Sequence, residues 1–300
     1  MRIFVTGATG WIGSASVAEL LSRGHEVVGL ARSDESASKL QAAGAAAVRG
    51  ELTDLEVLHS AAAESDGVLH LGFVHDFDRH HESGLIERAA VETIGEALVG
   101  SDRPFVMACG LAGYALGRPI TEQDATPFSG PDAMRGGSEQ LALSFAERGV
   151  RSVAARFAAT VHGPGDFGFV RVLADLARST GVAGYPGAGT NHWPAVNRVD
   201  AASLVATLVE EAPAGTVAHA VAEEGIETRE IARMLGDAAG VPVRSIPEAE
   251  VAAHFGWIGR FFTAELAASS AITRERFGWE PTHATLAEDV AAGAYGGAAA

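Results

Sequence analysis

Ile3-Phe4-Val5-Thr6-Gly7-Ala8-Thr9-Gly10-Trp11-Ile12-Gly13 stands at the start of the chain, and its reading decides the fold. The apolar run 3–6 reads as a strand. A helical pattern follows over about 12–22, with Val17, Leu20 and Leu21 on one face and Gly24 as a stop signal. Between them lies a glycine-rich turn. A strand that ends in such a turn and leads directly into a helix aims backbone amides and the helix N-terminus at one point, which attracts a pyrophosphate. Gly7 suits the tight turn, Gly10 lets the backbone approach a ligand, and Gly13 lets helix and strand pack closely.

Working outward, short apolar runs alternate with helical patterns, the signature of βα units and a parallel sheet. Strands are predicted at 26–31, 46–49, 67–72, 104–108 and 151–157, with helices at 35–43, 55–63, 85–99 and 138–148 between them. Six strands separated by helices give an α/β, Rossmann-type doubly wound parallel sheet, assigned here to a dinucleotide-binding domain over 1–160. Past residue 160 the rhythm breaks. Gly- and Pro-rich stretches at 162–168, 183–190 and 242–247 separate helices at about 170–179, 201–211 and 228–239. This predicts a smaller mixed α/β substrate-binding lobe over 161–300, partly interleaved with the main sheet near 218–221. The end of the chain, 296–300, is expected to be disordered.

Composition narrows the function. Three hundred residues, 47% hydrophobic and 20% charged, exclude a disordered, collagenous or coiled-coil chain. With 22 Lys and Arg against 38 Asp and Glu, the net charge is −16 and no basic residues cluster, which argues against a nucleic-acid partner. The single cysteine, Cys109, cannot form an internal disulfide, so a reducing compartment is expected. Met1-Arg2 runs straight into the first strand, and no apolar run reaches the roughly 18 residues of a membrane span. The chain therefore reads as cytoplasmic, with no membrane partner.

At the end of the second strand, NAD-binding folds usually place an acid that bonds the ribose 2′-hydroxyl. This chain has Ala31, Arg32 and Ser33 there. An arginine at that edge pairs with a 2′-phosphate, which points to NADP(H); the competing reading is a solvated surface arginine. Glu51 and Leu52, after the third strand, are positioned to flank an adenine. The candidate cofactor contacts are Gly7, Thr9, Gly10, Trp11, Ile12, Gly13, Arg32, Ser33, Glu51, Leu52 and Gly72.

The glycine turn, Arg49-Gly50-Glu51-Leu52-Thr53-Asp54, Val68-Leu69-His70-Leu71-Gly72, Gly163-Pro164-Gly165-Asp166 and Arg198-Val199-Asp200-Ala201 together resemble the extended or atypical short-chain dehydrogenase/reductases, the NAD-dependent epimerase/dehydratase group. The resemblance spans essentially the whole chain. It implies the fold and a nicotinamide cofactor, whereas the reaction is left open because this fold hosts reductases, epimerases, dehydratases and proteins without turnover.

The family's Ser or Thr after the fifth strand falls here at Cys109 or Gly110, and its Tyr and Lys, four apart on a helix, fall at Arg135 and Glu139. An arginine cannot replace the tyrosine by proton transfer, because its pKa exceeds about 12. Spacing of four puts Arg135 and Glu139 on one helical face, where they are expected to pair. On one account Arg135 stabilises a developing alkoxide or orients an anionic substrate. On the other, the pair is a structural salt bridge. Tyr114, His162 in the turn after the sixth strand, or a bound water are the candidate proton sources, and Cys109 is a candidate nucleophile whose competing reading is a buried strand residue. His75-Asp76-Phe77-Asp78-Arg79-His80-His81 follows the fourth strand; lining the mouth of a site suits it better than a metal, and no metal is expected. The resembling group also carries an acid on the next helix, and Glu87 is the nearest match. Phe255, Trp257, Ile258, Phe261 and Phe262 read as a pocket wall, a helix core or a dimer contact, and Phe277-Gly278-Trp279 as a structural helix stop.

The reading that follows is an NADP(H)-dependent oxidoreductase with an atypical active site, reducing a carbonyl or imine on a small, fairly apolar molecule. A sugar-nucleotide epimerase or dehydratase and a non-catalytic NADP(H)-binding regulator are the alternatives. The resemblance implies a homodimer, formed through the helices near 85–99 and 138–148.

Overall fold

In a computed structural model, residues 1–76, 79–114 and 116–297 are described. The chain runs β1 (Arg2–Thr6), α1 (Trp11–Ser22), β2 (Glu26–Ala31), α2 (Asp34–Ala42), β3 (Ala46–Arg49), α3 (Leu55–Ala63), β4 (Gly67–His70), α4 (His80–Leu98), β5 (Pro104–Gly110), α5 (Ser138–Ser144) and β6 (Arg151–Phe157). It continues through β7 (Thr160–His162), α6 (Phe169–Thr180), β8 (Ala183–Pro186), β9 (His192–Asn197), α7 (Arg198–Glu211), β10 (Thr216–Ala220), β11 (Glu223–Glu227), α8 (Thr228–Ala239) and β12 (Val243–Ile246). Four short helices close it: α9 (Val251–Phe255), α10 (Gly259–Phe262), α11 (Ala271–Phe277) and α12 (Leu286–Ala291).

The chain divides into two units, each assembled from separate stretches: 1–109, 125–156 and 201–218 in the first; 110–124, 157–200 and 219–300 in the second. The main sheet is a seven-stranded parallel sheet of order β10-β6-β5-β4-β1-β2-β3. Order reverses on either side of β1, the doubly wound pattern, and β1 pairs in parallel with both β2 and β4. The strands are buried and rich in Val, Phe and Ala because helices cover both faces. Phe4, Val68, Val91, Ile94, Phe105 and Phe145 lie in the core of the first unit. Helix α7 is tied to the end of α1: Arg23 donates to Glu210 (2.7 Å) and to Ser203 O (3.1 Å), and His25 Nε2 lies 2.8 Å from Glu210. Arg151 in β6 caps the end of the same helix through the carbonyls of Val209 and Ala212, each at 2.9 Å.

The second unit holds a three-stranded sheet, β11-β9-β7, and a parallel pair, β12-β8. Phe255, Ile258 and Phe262 are buried in its core beside Trp193, so most of the aromatic set near the end of the chain serves packing; Trp257 is exposed, 5.7 Å from Phe169. Trp279 is buried with its indole N–H on Asp200 O (3.1 Å), just after Gly278 ends α11 in a left-handed conformation. The expectation for the chain end 296–300 falls mostly outside the described residues. Among the described residues, no helix is long and apolar enough to cross a membrane.

Several boundaries differ from the sequence reading: β4 ends at His70 rather than 72, β5 runs to Gly110 rather than 108 and α7 starts at Arg198 rather than about 201, and two helices differ by more. Helix α4 starts at His80 rather than near 85, because the Asp76 carboxylate accepts from the Arg79 N–H (3.1 Å) and turns the chain one turn early. The helix expected over 138–148 is α-helical only to Ser144 and tightens to 3-10 over 145–148.

Candidate active site

At the carboxyl end of β1, Gly10 N–H donates to Gly7 O (2.9 Å), closing the turn. Gly7 has φ +65°, and a Cβ there would sit 2.8 Å from the Leu71 and Gly72 backbone. A Cβ on Gly13 would lie 2.0 Å from Gly7 O, so the helix packs on the turn at a distance only glycine permits. Gly10 differs: within 4 Å its Cβ would meet only Gly7 O, at 3.1 Å. Among the described residues helix α1 has no side-chain cap, and its first turn holds no acidic residue, which leaves its amides and its positive end available to an anion. Thr9, Trp11 and Ile12 are half-buried around this cradle. Leu52 packs beneath it, 3.1 Å from where a Cβ on Gly72 would stand, and Gly72 N–H donates to Thr6 Oγ1 (3.0 Å).

Arg32 is exposed at the end of β2 and makes no ion pair among the described residues. Ser33 is the N-cap of α2, accepting from Ser36 N–H (3.1 Å), so its hydroxyl is engaged in the fold. Arg49, at the end of β3, pairs with Asp34 (2.7 Å). Glu51 is exposed and accepts from Thr53 Oγ1 (2.9 Å). An open glycine cradle, uncapped amides and an exposed arginine at the strand edge fit a dinucleotide.

His70 ends β4 beside this turn and is buried. Its Nδ1 shares a 2.8 Å hydrogen bond with Thr6 Oγ1, and its Nε2 is buried with no partner among the described residues. Burial, and secondarily the Arg135 charge, hold the imidazole down to about 3. The unfolded chain takes up the proton near 6.5, so His70 contributes stability that is complete above that pH and is lost as pH falls from 6.5 toward 3. The loss is on the order of 4 kcal/mol. Chemical denaturation from pH 7.5 to 4 is expected to show His70→Asn with a flatter acid limb than the natural chain. Parallel limbs would contradict a neutral buried His70.

Arg135 and Glu139, expected on one helical face, are not so placed: the helix starts at Ser138, after Arg135. Arg135, Gly136 and Gly137 have φ +51°, +62° and +62°, a left-handed run pressed against α4 where Gly84 leaves room: a Cβ on Gly84 would be 2.8 Å from Gly136 N. The predicted pairing of Arg135 with Glu139 is therefore wrong, since the two residues do not share a helical face. Arg135 reaches Glu87 on α4 instead, donating from Nε to Oε2 (2.9 Å) and from Nη2 to Oε1, and Nη2 also donates to Ala108 O (3.1 Å). The guanidinium lies 4.6 Å over the Phe73 ring. Glu87 is 1% exposed, and burial raises its carboxyl against the opposing pull of Arg135. Glu139 pairs with buried Arg156 (2.6 Å). The sequence flagged Glu87 singly; what it missed was the partnership, across 48 positions. Its one local signal was Gly136-Gly137, two residues suited to a left-handed turn and poor at starting a helix.

Cys109, in β5, is buried, its thiol 3.7 Å from Met107 O. Burial pushes that thiol well above its ordinary value, with Glu139 adding to the effect, which favours packing over nucleophilic work. His75 lies near the same guanidinium, and burial followed by the Arg135 charge lowers its pKa. Asp76 pairs with Arg79 (2.9 Å), while Phe77 and Asp78 lie outside the described residues. Among the described residues no group of three or more His, Cys, Asp or Glu could hold a metal ion.

Arg135 and Cys109 thus come together in the first unit; Tyr114 and His162 belong to the second. Tyr114 is buried. His162 is fully buried with Nδ1 2.6 Å from Asp289 Oδ2, a carboxylate from the far end of the chain that the sequence reading did not anticipate.

The sequence model of the NAD dependent epimerase/dehydratase family matches residues 3–221. The chain belongs to this family. An uncharacterized protein of Schizosaccharomyces pombe is 45% identical over 299 residues, covering 98% of this chain and 100% of that one. A 2-alkyl-3-oxoalkanoate reductase of Stenotrophomonas maltophilia is 30% identical, covering 81% of this chain and 77% of that protein. Among solved structures, dTDP-glucose 4,6-dehydratase from Streptomyces venezuelae, with NAD bound, superposes with a TM-score of 0.76 at 20% identity, over 98% of this chain and 96% of that one. At that identity the likeness concerns the fold. As a member of this family the protein is an epimerase/dehydratase-like oxidoreductase of the short-chain dehydrogenase/reductase type.

Proposed function

We propose that this family member is an NADP(H)-dependent reductase of a carbonyl or imine group on a small, fairly apolar molecule. The observation that carries the cofactor preference is Arg32, exposed at the end of β2 with no ion pair among the described residues, where its charge suits a 2′-phosphate. The uncapped amides of α1 supply the complementary contact for the pyrophosphate. When bound, the reduced nicotinamide supplies a hydride. The chain's part is to hold the dinucleotide on the glycine cradle and to orient the acceptor oxygen, with the proton drawn from Tyr114, His162 or a water. The reductase name of the Stenotrophomonas relative supports this direction of chemistry. An epimerase or dehydratase acting on a sugar nucleotide is disfavoured, because its oxidation step needs the base that Arg135 and Glu139 replace. A homodimer and a cytoplasmic location belong to the same reading.

A second reading, a dinucleotide binder without turnover, draws on one observation: Arg135 and Glu139 are both engaged in buried ion pairs. Titration with NADPH and NADH, followed by the loss of reduced-nicotinamide absorbance with a panel of ketones, aldehydes and cyclic imines, separates the two. Substrate-dependent loss of absorbance is expected, and tight binding with no loss across the panel would favour the binder. Arg32→Ala is expected to weaken NADPH binding by about 10- to 100-fold, the worth of one charge-assisted contact, and to leave NADH unchanged. Equal effects on both cofactors would overturn the preference.

A further inference from the structure

We propose that Arg135, held in place by Glu87, is the hydrogen-bond donor to the neutral oxygen of the group being reduced, through its Nη1 edge; this rests on the reductase reading above. Three sides of the guanidinium are occupied. Nε and Nη2 face the Glu87 carboxylate, Nη2 also donates to Ala108 O, and the flat face covers Phe73. Nη1 makes no hydrogen bond among the described residues, and it is not one of the buried polar atoms left without a partner, so it opens to the outside of the cluster. The side chain as a whole is 25% exposed against 1% for Glu87, which fits an arrangement with one open edge.

The backbone supports a positional role. Asp102 and Arg135 are the non-glycine residues at positive φ among those described, and at Arg135 the left-handed conformation turns the side chain back toward the carboxyl ends of β4 and β5. That conformation is costly for a residue with a Cβ. A salt bridge formed for stability alone would not require it.

Charge decides which oxygen Nη1 donates to. Arg135 and Glu87 together are neutral, so a carboxylate seated against them would bring an uncompensated charge into a largely buried cluster. A carbonyl oxygen brings none. As the carbonyl carbon gains a hydride, the π pair of the C=O bond moves onto oxygen, and the Nη1 hydrogen bonds strengthen as that charge develops. The guanidinium keeps its protons throughout, and the proton that completes the hydroxyl comes from a separate group or from water. Arg135 is thus a catalytic residue by electrostatics, and Glu87 a positioning residue that acts through it.

Two measurements test this. In the first, the side-chain nitrogens of Arg135 are observed by NMR in the whole protein loaded with NADP⁺, using acetophenone as neutral probe and benzoate as anionic probe. Separate, slowly exchanging Nη1 and Nη2 signals are expected in the natural chain, and they merge in Glu87→Gln. Acetophenone is expected to shift Nη1 and benzoate to leave it in place. No shift with acetophenone, or a shift with benzoate alone, overturns the proposal, and this arm needs neither turnover nor an Arg135 variant that folds. In the second, Arg135→Gly, which suits the left-handed backbone, is expected to lower kcat by about 100-fold with NADPH affinity retained, and added guanidinium to restore part of it. Unchanged kcat overturns the donor role. If the natural chain reduces no carbonyl in the panel, the reductase reading fails, and the Nη1 shift alone decides whether Arg135 binds a neutral oxygen.

Discussion

Gly13→Ala is expected to abolish tight dinucleotide binding and to destabilise the fold together. The added methyl would stand 2.0 Å from Gly7 O, which is backbone and cannot rotate away, so the first turn of α1 must lift off the β1 turn. That movement misdirects the uncapped amides of the α1 N-terminus. If the amides there hold the dinucleotide, their loss is expected to weaken its binding by about 100-fold, and the overpacking itself costs about 1–3 kcal/mol. Gly10→Ala is the informative partner. Its methyl would meet only Gly7 O, at 3.1 Å, and otherwise project into open space, so unfolding free energy should change by less than about 1 kcal/mol while NADPH affinity falls about tenfold or more. Calorimetric binding with thermal unfolding on both variants checks the pair. Undiminished affinity in Gly10→Ala would mean that the ligand does not approach over this turn.

Glu87→Leu is expected to cost about 3 kcal/mol, a drop of roughly 6–12 °C in Tm. Removing the carboxylate strands the Arg135 charge among Phe73, Ala108 and α4, and the cost stays at the lower end for a broken buried pair because Arg135 retains some access to water. Adding Arg135→Gly to Glu87→Leu removes the stranded charge and is expected to recover much of the loss. A double variant less stable than Glu87→Leu alone, or a single variant within about 0.5 kcal/mol of the natural chain, would show that the two side chains are not energetically coupled.

The sheet was legible in the sequence because its signals are local. The run 26–31 alternates with nothing and sits between turn residues, so it reads as a buried strand, and β2 covers those same residues. The glycine turn was legible because each glycine answers a steric demand within a dozen residues of chain. The candidate site was legible in part. Arg135, Glu139 and Glu87 stand out as residues, yet which acid each arginine meets depends on how α4 docks, a tertiary matter to which helical spacing is blind. His70 reads as one more histidine in an apolar run, and its neutral state comes from burial and from the Arg135 charge, neither of which a local pattern reveals. The partner of His162, Asp289, comes from a helix 127 positions later.

The return of residues 201–218 to the first unit has a consequence during synthesis on the ribosome. When residue 156 has emerged, the sheet still ends at β6, whose outer edge waits for β10, and Arg151 has no helix end to cap. The nascent chain thus carries an unpaired, apolar strand edge until α7 and β10 are made, the kind of edge that recruits other chains. A cut near residue 160 would therefore release a sheet without its last strand. Fragments or fusions of this protein should keep the chain intact through Ala220.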